Sequence, residues 1–179
     1  ILELVVTAAR RFGVPYIRAA RDLGPSLFRV RDAFAVTLNG GVCLAVEVEE
    51  SRARRRVESG YCDRLTRSMD EALGWIRDAI AARRPLSVGL VGNAAETHVE
   101  LVKRGVTIDI ATDQTSAHDP VNGYLPEGWT VEQWDKLRAS DPAAVASAAR
   151  KSMAQHVGAM LAFQQLGIPT FDYGNNIRQ

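Results

Sequence analysis

Residues 112–125 read T-D-Q-T-S-A-H-D-P-V-N-G-Y-L and follow directly on the apolar run Val106-Thr107-Ile108-Asp109-Ile110-Ala111. Asp, Gln, Thr, Ser, His and Asn crowded together can both donate and accept hydrogen bonds while carrying little net charge. That inventory suits a neutral amide or a hydroxyl-rich ligand better than a metal ion. A second reading stands beside it, because the same residue types build Asx-turns and helix caps in many proteins. A hydrolytic triad of Ser116, His118 and Asp119 is rejected. No G-x-S-x-G elbow surrounds Ser116, and triad members normally lie far apart in sequence. A metal site is poorly supported, since His98, His118 and His156 are scattered without ligand spacing.

Three further segments place polar residues at the end of an apolar run. Val42-Cys43-Leu44-Ala45-Val46-Glu47-Val48 is a continuous apolar strand with Glu47 near its carboxyl end. An acidic group there is where dinucleotide-binding folds hold the adenosine ribose hydroxyls, and it disfavours a 2′-phosphate. The plainer alternative is a solvated glutamate at a strand end. Leu86-Ser87-Val88-Gly89-Leu90-Val91 leads into Gly92-Asn93-Ala94, where backbone N–H groups at a helix start suit a phosphate or carboxamide. Here the alternative is a simple helix cap by Asn93. The last segment is Tyr173-Gly174-Asn175-Asn176, after a short strand at 169–173.

The elements that must position these groups alternate. Residues 1–12 carry apolar residues at helical spacing and are expected to form an amphipathic helix ending near Gly13. A helix over 26–38 follows the interruptions at Pro15, Gly24 and Pro25. Helices are expected at 49–58, over 66–83 with Ser68 and Glu71 as a capping box, and from Gly92 to Arg104 with Gly105 as its stop. A third strand spans 108–111. Another helix covers 130–138, with Thr130 and Gln133 as a second capping box. Asp141 caps a long helix from Pro142 to about Leu166, with Val145, Ala149, Met153, Val157 and Met160 along one face and His156 bordering it. Alternation of this kind predicts β-α-β crossovers and a parallel sheet with helices on both faces. In such a sheet the four polar segments share one edge.

Bulk properties narrow the partners. With 179 residues and a formal net charge of +1, the chain is expected to be one domain with no nucleic-acid or membrane partner. The arginines of Ser51-Arg52-Ala53-Arg54-Arg55-Arg56 are flanked by Glu47, Glu49, Glu50 and Glu58, as on a solvated helix face. Cys43 and Cys62 form no CxxC, which fits buried free thiols in a reduced, cytoplasmic compartment. No apolar run approaches the roughly 18 residues of a membrane span. The chain starts at Ile1 inside an expected helix and stops just after a polar cluster, so it is expected to be a fragment of a larger enzyme.

Long strings carry a resemblance. D-Q-T-S-A-H-D-P-V-N-G-Y-L at 113–125, G-N-A-A-E at 92–96, K-S-M-A-Q-H-V at 151–157 and F-D-Y-G-N-N-I-R-Q at 171–179 closely resemble urocanase (urocanate hydratase). The likeness runs from about Thr37 to the end, over what is that family's NAD-binding domain. It implies a Rossmann-like α/β fold and tightly bound NAD, used as an electrophile rather than a redox carrier. It further implies hydration of urocanate to imidazolonepropionate in histidine degradation, and a homodimer as the full-length protein. By motif, the family's NAD contacts fall on Glu47, Arg52, Asn93, Ala94, Gln114, Thr115, Ser116, Ala117, His118, Tyr124, Leu125 and Tyr173. The catalytic cysteine belongs to sequence beyond this chain, and neither Cys43 nor Cys62 matches its motif, so this chain alone is not expected to turn over urocanate. One stretch departs from the family. Where a glycine-rich turn is expected, the chain reads Leu23-Gly24-Pro25-Ser26-Leu27-Phe28-Arg29-Val30-Arg31-Asp32. Side chains there would stand where backbone must approach a pyrophosphate. Weak NAD binding, or a relative that keeps the fold without the dinucleotide, is the corresponding expectation.

Overall fold

The computed structural model describes residues 3–7, 33, 36–113 and 115–172. Six strands form one sheet in the order β3-β4-β2-β1-β5-β6. They are β1 (Glu3–Thr7), β2 (Val42–Glu47), β3 (Arg64–Thr66), β4 (Leu86–Val91), β5 (Ile110–Asp113) and β6 (Thr170–Asp172). Among the described residues, the helices α1 (Glu50–Glu58), α2 (Met69–Ala81), α3 (Ala94–Lys103), α4 (Val131–Ser140) and α5 (Pro142–Gln165) accompany them.

The α/β expectation holds, with one change. β2 runs parallel to β4, β4 to β3, and β5 to β6, while β1 is antiparallel to both β2 and β5. All strands but β1 therefore point the same way, and their carboxyl ends share one edge. The helix expected over 1–12 is not formed at Glu3–Thr7, which is a strand. Its β-branched Val-Val-Thr core suits an extended chain, and it supplies ladder partners to β2 and β5 on its two sides. Most of the helix expected over 26–38 lies outside the described residues; its last residues, 36–38, are helical.

Strand parity sorts the core into two faces. Val42 and Leu44 of β2, with Leu86, Val88 and Leu90 of β4, pack against Ala72, Leu73, Ile76 and Ala79 of α2, Leu101 of α3 and Phe163 of α5. Cys43 and Ala45 face the other way, with Ala33 and Val36. Ala53 of α1 is buried toward that second face, beside Ala45 and Glu47. Neither cysteine forms a disulfide among the described residues; both are buried, and burial pushes the Cys62 thiol up. The arginine-rich α1 buries Ala53 and leaves most of its charges solvated, in pairs such as Arg54 with Glu50 and Arg52 with Glu49. No helix among the described residues is long and apolar enough to cross a membrane.

Local signals account for the helix starts. Thr130 and Gln133 make a complete capping box on α4. On α2 the box is half made: Ser68 accepts from the Glu71 N–H, but the Glu71 carboxylate turns to the Thr66 hydroxyl. Asp141 caps α5 by accepting from the Ala144 N–H at 3.0 Å, and Pro142 sits in its first turn. The buried stripe of α5 is Val145, Ala149, Ser152, His156, Ala159 and Phe163, at alternating spacings of four and three. It differs from the apolar stripe expected from sequence: His156 lies at its centre, while Val157 is exposed.

Phe163 is the largest fully buried side chain and joins α5 to the main core. Phe163→Ala is expected to cost about 3–5 kcal/mol of stability. Denaturant unfolding followed by circular dichroism measures it, and a loss under about 1 kcal/mol would contradict this packing.

Candidate functional site

At the carboxyl edge of the sheet, the ends of β2 and β4 open into a cleft of about 360 Å³. Its walls come from Val46 and Val48 after β2, Glu49 and Arg52 at the start of α1, and Gly92, Asn93 and Ala94 at the start of α3. Thr115 and residues 122–125 form a third wall, and Val131, Trp134, Asp135 and Arg138 of α4 the fourth. The volume lies at the lower end of the roughly 300–1,000 Å³ usual for small-molecule sites.

The residues singled out in the sequence divide into four groups. Arg52, Asn93, Ala94, Thr115, Tyr124 and Leu125 line this cleft. Ser116, Ala117 and His118 belong to the same loop but do not line it. Glu47 is only 4% exposed and, one residue along the strand from Val46, opens onto the opposite face. It borders a narrow recess shared with Ala45, Ala53, Arg56, Tyr61 and Cys62, and its carboxylate accepts from the Glu49 N–H at 3.1 Å. Gln114 and Tyr173 lie outside the described residues. Sequence reasoning missed the α4 wall altogether. Its usable signal was an exposed amphipathic helix with no buried residue but a tryptophan in mid-face.

The loop between β5 and α4 holds itself in shape. Asp113 accepts from the Thr115 N–H at 2.7 Å and from the Thr115 hydroxyl at 2.8 Å. Asp119 accepts from the N–H groups of Val121 and Asn122, and the Asn122 N–H first of all holds its carboxyl below the usual range. These are the Asx-turns of the plainer reading. Gly123 permits a close crossing, because a Cβ there would meet the Ser116 carbonyl oxygen, Ser116 Cβ at 2.7 Å and the Asp119 carbonyl oxygen at 2.8 Å. Three side chains then fasten the loop to the body. Asn93 caps α3 through its Oδ1, which accepts from Ala95 N–H at 2.9 Å, while its Nδ2 donates to the Leu125 carbonyl at 2.8 Å. Trp134 Nε1 donates to the Val121 carbonyl at 2.8 Å, with the Arg138 guanidinium over its ring. The Tyr124 hydroxyl shares a 3.1 Å hydrogen bond with His156 Nδ1.

Beneath the loop lie two buried histidines. The His98 and His156 rings stack at 4.7 Å and 13°, and Phe163 meets His98 edge-on. Burial, and then the neighbouring His156 ring, pushes His98 from the usual 6.5 to about 3. His156 packs in the core as the sequence suggests, at 2% exposure.

A sheet of five like-directed strands, helices on both faces and a polar cleft at the carboxyl edge define a Rossmann-like α/β domain. The comparison with known families agrees: residues 31–179 match the urocanase Rossmann-like domain. The chain belongs to the urocanase family. The matched span begins after most of the departed stretch at 23–32.

Two outcomes follow from this geometry. Gly123→Ala should destabilise the chain by about 1–3 kcal/mol through backbone collision, and amide exchange in 115–125 should rise more than in β2; an unaffected loop would contradict the crossing. His98 binds its proton near 6.5 when unfolded but only near 3 when folded. The unfolded state thus holds more protons between those values, and stability falls as pH drops from about 6.5 toward 3. Urea melts across that range should show a shallower slope for His98→Gln, and an unchanged slope would remove His98 as its source.

Proposed function

We propose that this chain is the NAD-binding domain of a urocanate hydratase, the hydro-lyase that converts urocanate to imidazolonepropionate in histidine degradation. The observation that carries the reading is the gathering of Arg52, Asn93, Ala94, Thr115, Tyr124 and Leu125 around one cleft in a domain of this family. Those residues come from four separate stretches of chain. NAD in this reading supplies an electrophilic nicotinamide to the reaction.

The donor set fits such a ligand. Arg52 and Arg138 line the cleft, and guanidinium forks suit phosphate oxygens. The start of α3 adds backbone N–H groups and the positive end of the helix dipole. Tyr124 and Trp134 offer flat surface. The family resemblance adds Glu47 for the adenosine ribose, and Gln114, Ser116, Ala117, His118 and Tyr173 for the remainder of the cofactor. Catalytic groups are assigned to sequence outside this chain, and so is much of the urocanate pocket. The full-length enzyme is read as a cytoplasmic homodimer.

A second reading is favoured by one specific feature, the missing glycine-rich turn at 23–32. A relative that keeps the fold and has lost the dinucleotide would look like this. Each backbone N–H lost to a pyrophosphate forfeits a charge-assisted hydrogen bond of roughly 1.5–3 kcal/mol.

Calorimetric titration separates the two. The chain as given should bind NAD weakly, and replacing residues 24–32 by a Gly-rich turn should tighten binding by about 10-fold or more per recovered bond. Tight binding by the unaltered chain would show that the turn is dispensable. Failure of both forms to bind would sink the dinucleotide reading of the cleft.

A further inference from the structure

We propose that His156 is the positioning residue of the ligand cleft: from α5 it holds the end of the 115–125 loop and so sets the Tyr124 wall. The inference rests on the dinucleotide reading of the cleft and adds to it a residue that contacts no ligand.

The geometry is specific. His156 Nδ1 shares a 3.1 Å hydrogen bond with the Tyr124 hydroxyl, near the end of the loop, while Asp113 Oδ2, at its beginning, is 4.0 Å away and accepts from the Thr115 hydroxyl. Tyr124 is 4% exposed, and it is also a lining residue of the cleft. The imidazole therefore holds the loop where its end rejoins the body. Its own orientation is held by the His98 ring, stacked at 4.7 Å and 13°. His98 belongs to α3, whose cap Asn93 holds Leu125, the residue after Tyr124. An apolar side chain at 156 would fill the same space in the buried stripe, yet would leave the Tyr124 hydroxyl without this bond. A buried hydroxyl that loses a hydrogen bond is costly. The imidazole is thus chosen for its nitrogen, not its bulk.

The test compares His156→Leu, which keeps an apolar filler, with His156→Gln, which keeps a group able to bond the Tyr124 hydroxyl. Amide hydrogen exchange is read in the full chain. His156→Leu should speed exchange across 115–125 by about tenfold while leaving β2 and β4 protected. His156→Gln should restore most of the protection. Tyr124→Phe should produce the same acceleration, and combining it with His156→Leu should add little. Equal effects of Leu and Gln, or additive effects of the pair, would reduce His156 to a filler and overturn the proposal. Should His156→Leu fail to fold, Tyr124→Phe decides alone, and unchanged loop exchange in it overturns the proposal.

A second readout is NAD affinity in the chain with the restored turn. It should fall about tenfold in His156→Leu and recover in His156→Gln. Lost loop protection with unchanged affinity would overturn the positioning role. If the parent with the restored turn binds no NAD, the dinucleotide reading has failed, and the exchange cycle by itself decides whether His156 sets the loop.

Discussion

The Asn93 amide serves two elements at once: its oxygen caps α3 and its nitrogen holds the Leu125 carbonyl. The start of a helix and the end of a distant loop are thereby fixed to one planar group. Neither bond could move without the other, because the amide cannot rotate to improve one contact and keep the second. This constraint makes the cleft a defined shape rather than a gap between a sheet edge and a loose connection. The Tyr124–His156 bond and the Trp134–Val121 bond act on either side of it. Each spends a side chain on a backbone or buried partner, which is how an irregular segment satisfies its polar groups away from water.

This economy bears on how polar loops are read from sequence. The residues of 113–125 looked able to bind a ligand, or equally to build turns. In the structure many of them build turns. Asp113 is committed to Thr115, and Asp119 to Val121 and Asn122. The loop's contribution to the cleft comes instead from Thr115 and from 122–125. The two readings are therefore complementary. Carboxylates fold the loop, and the folded loop presents other groups.

Legibility followed the strength of local signals. The strands at 42–47 and 86–91 were readable because long apolar runs bounded by glycine leave little choice. The starts of α3, α4 and α5 were readable from caps. β3 was not, since Arg64-Leu65-Thr66 is three residues with no apolar run, held by pairing to β4. β1 was misread because I-L-E-L-V-V-T-A-A fits a helical spacing as well as an extended one, and long-range pairing decided between them. The stripe of α5 was displaced for another reason. Hydrophobicity alone favoured Val157 and Met153, whereas the buried positions go to Ser152 and His156, whose polar atoms find partners at Glu127, Ala148 and Tyr124.

The position of Glu47 carries the argument one step further. Strand parity sends Val46 into the cleft and Glu47 to the opposite face, and no side-chain rotation alters that assignment. A dinucleotide that used both Glu47 and the 122–125 wall would have to pass over the carboxyl edge of β2, with its two halves on either side. That is the geometry expected where a ligand lies across strand ends rather than within one pocket. It also explains why a cleft of about 360 Å³ is too small to be a whole dinucleotide site yet well suited to part of one.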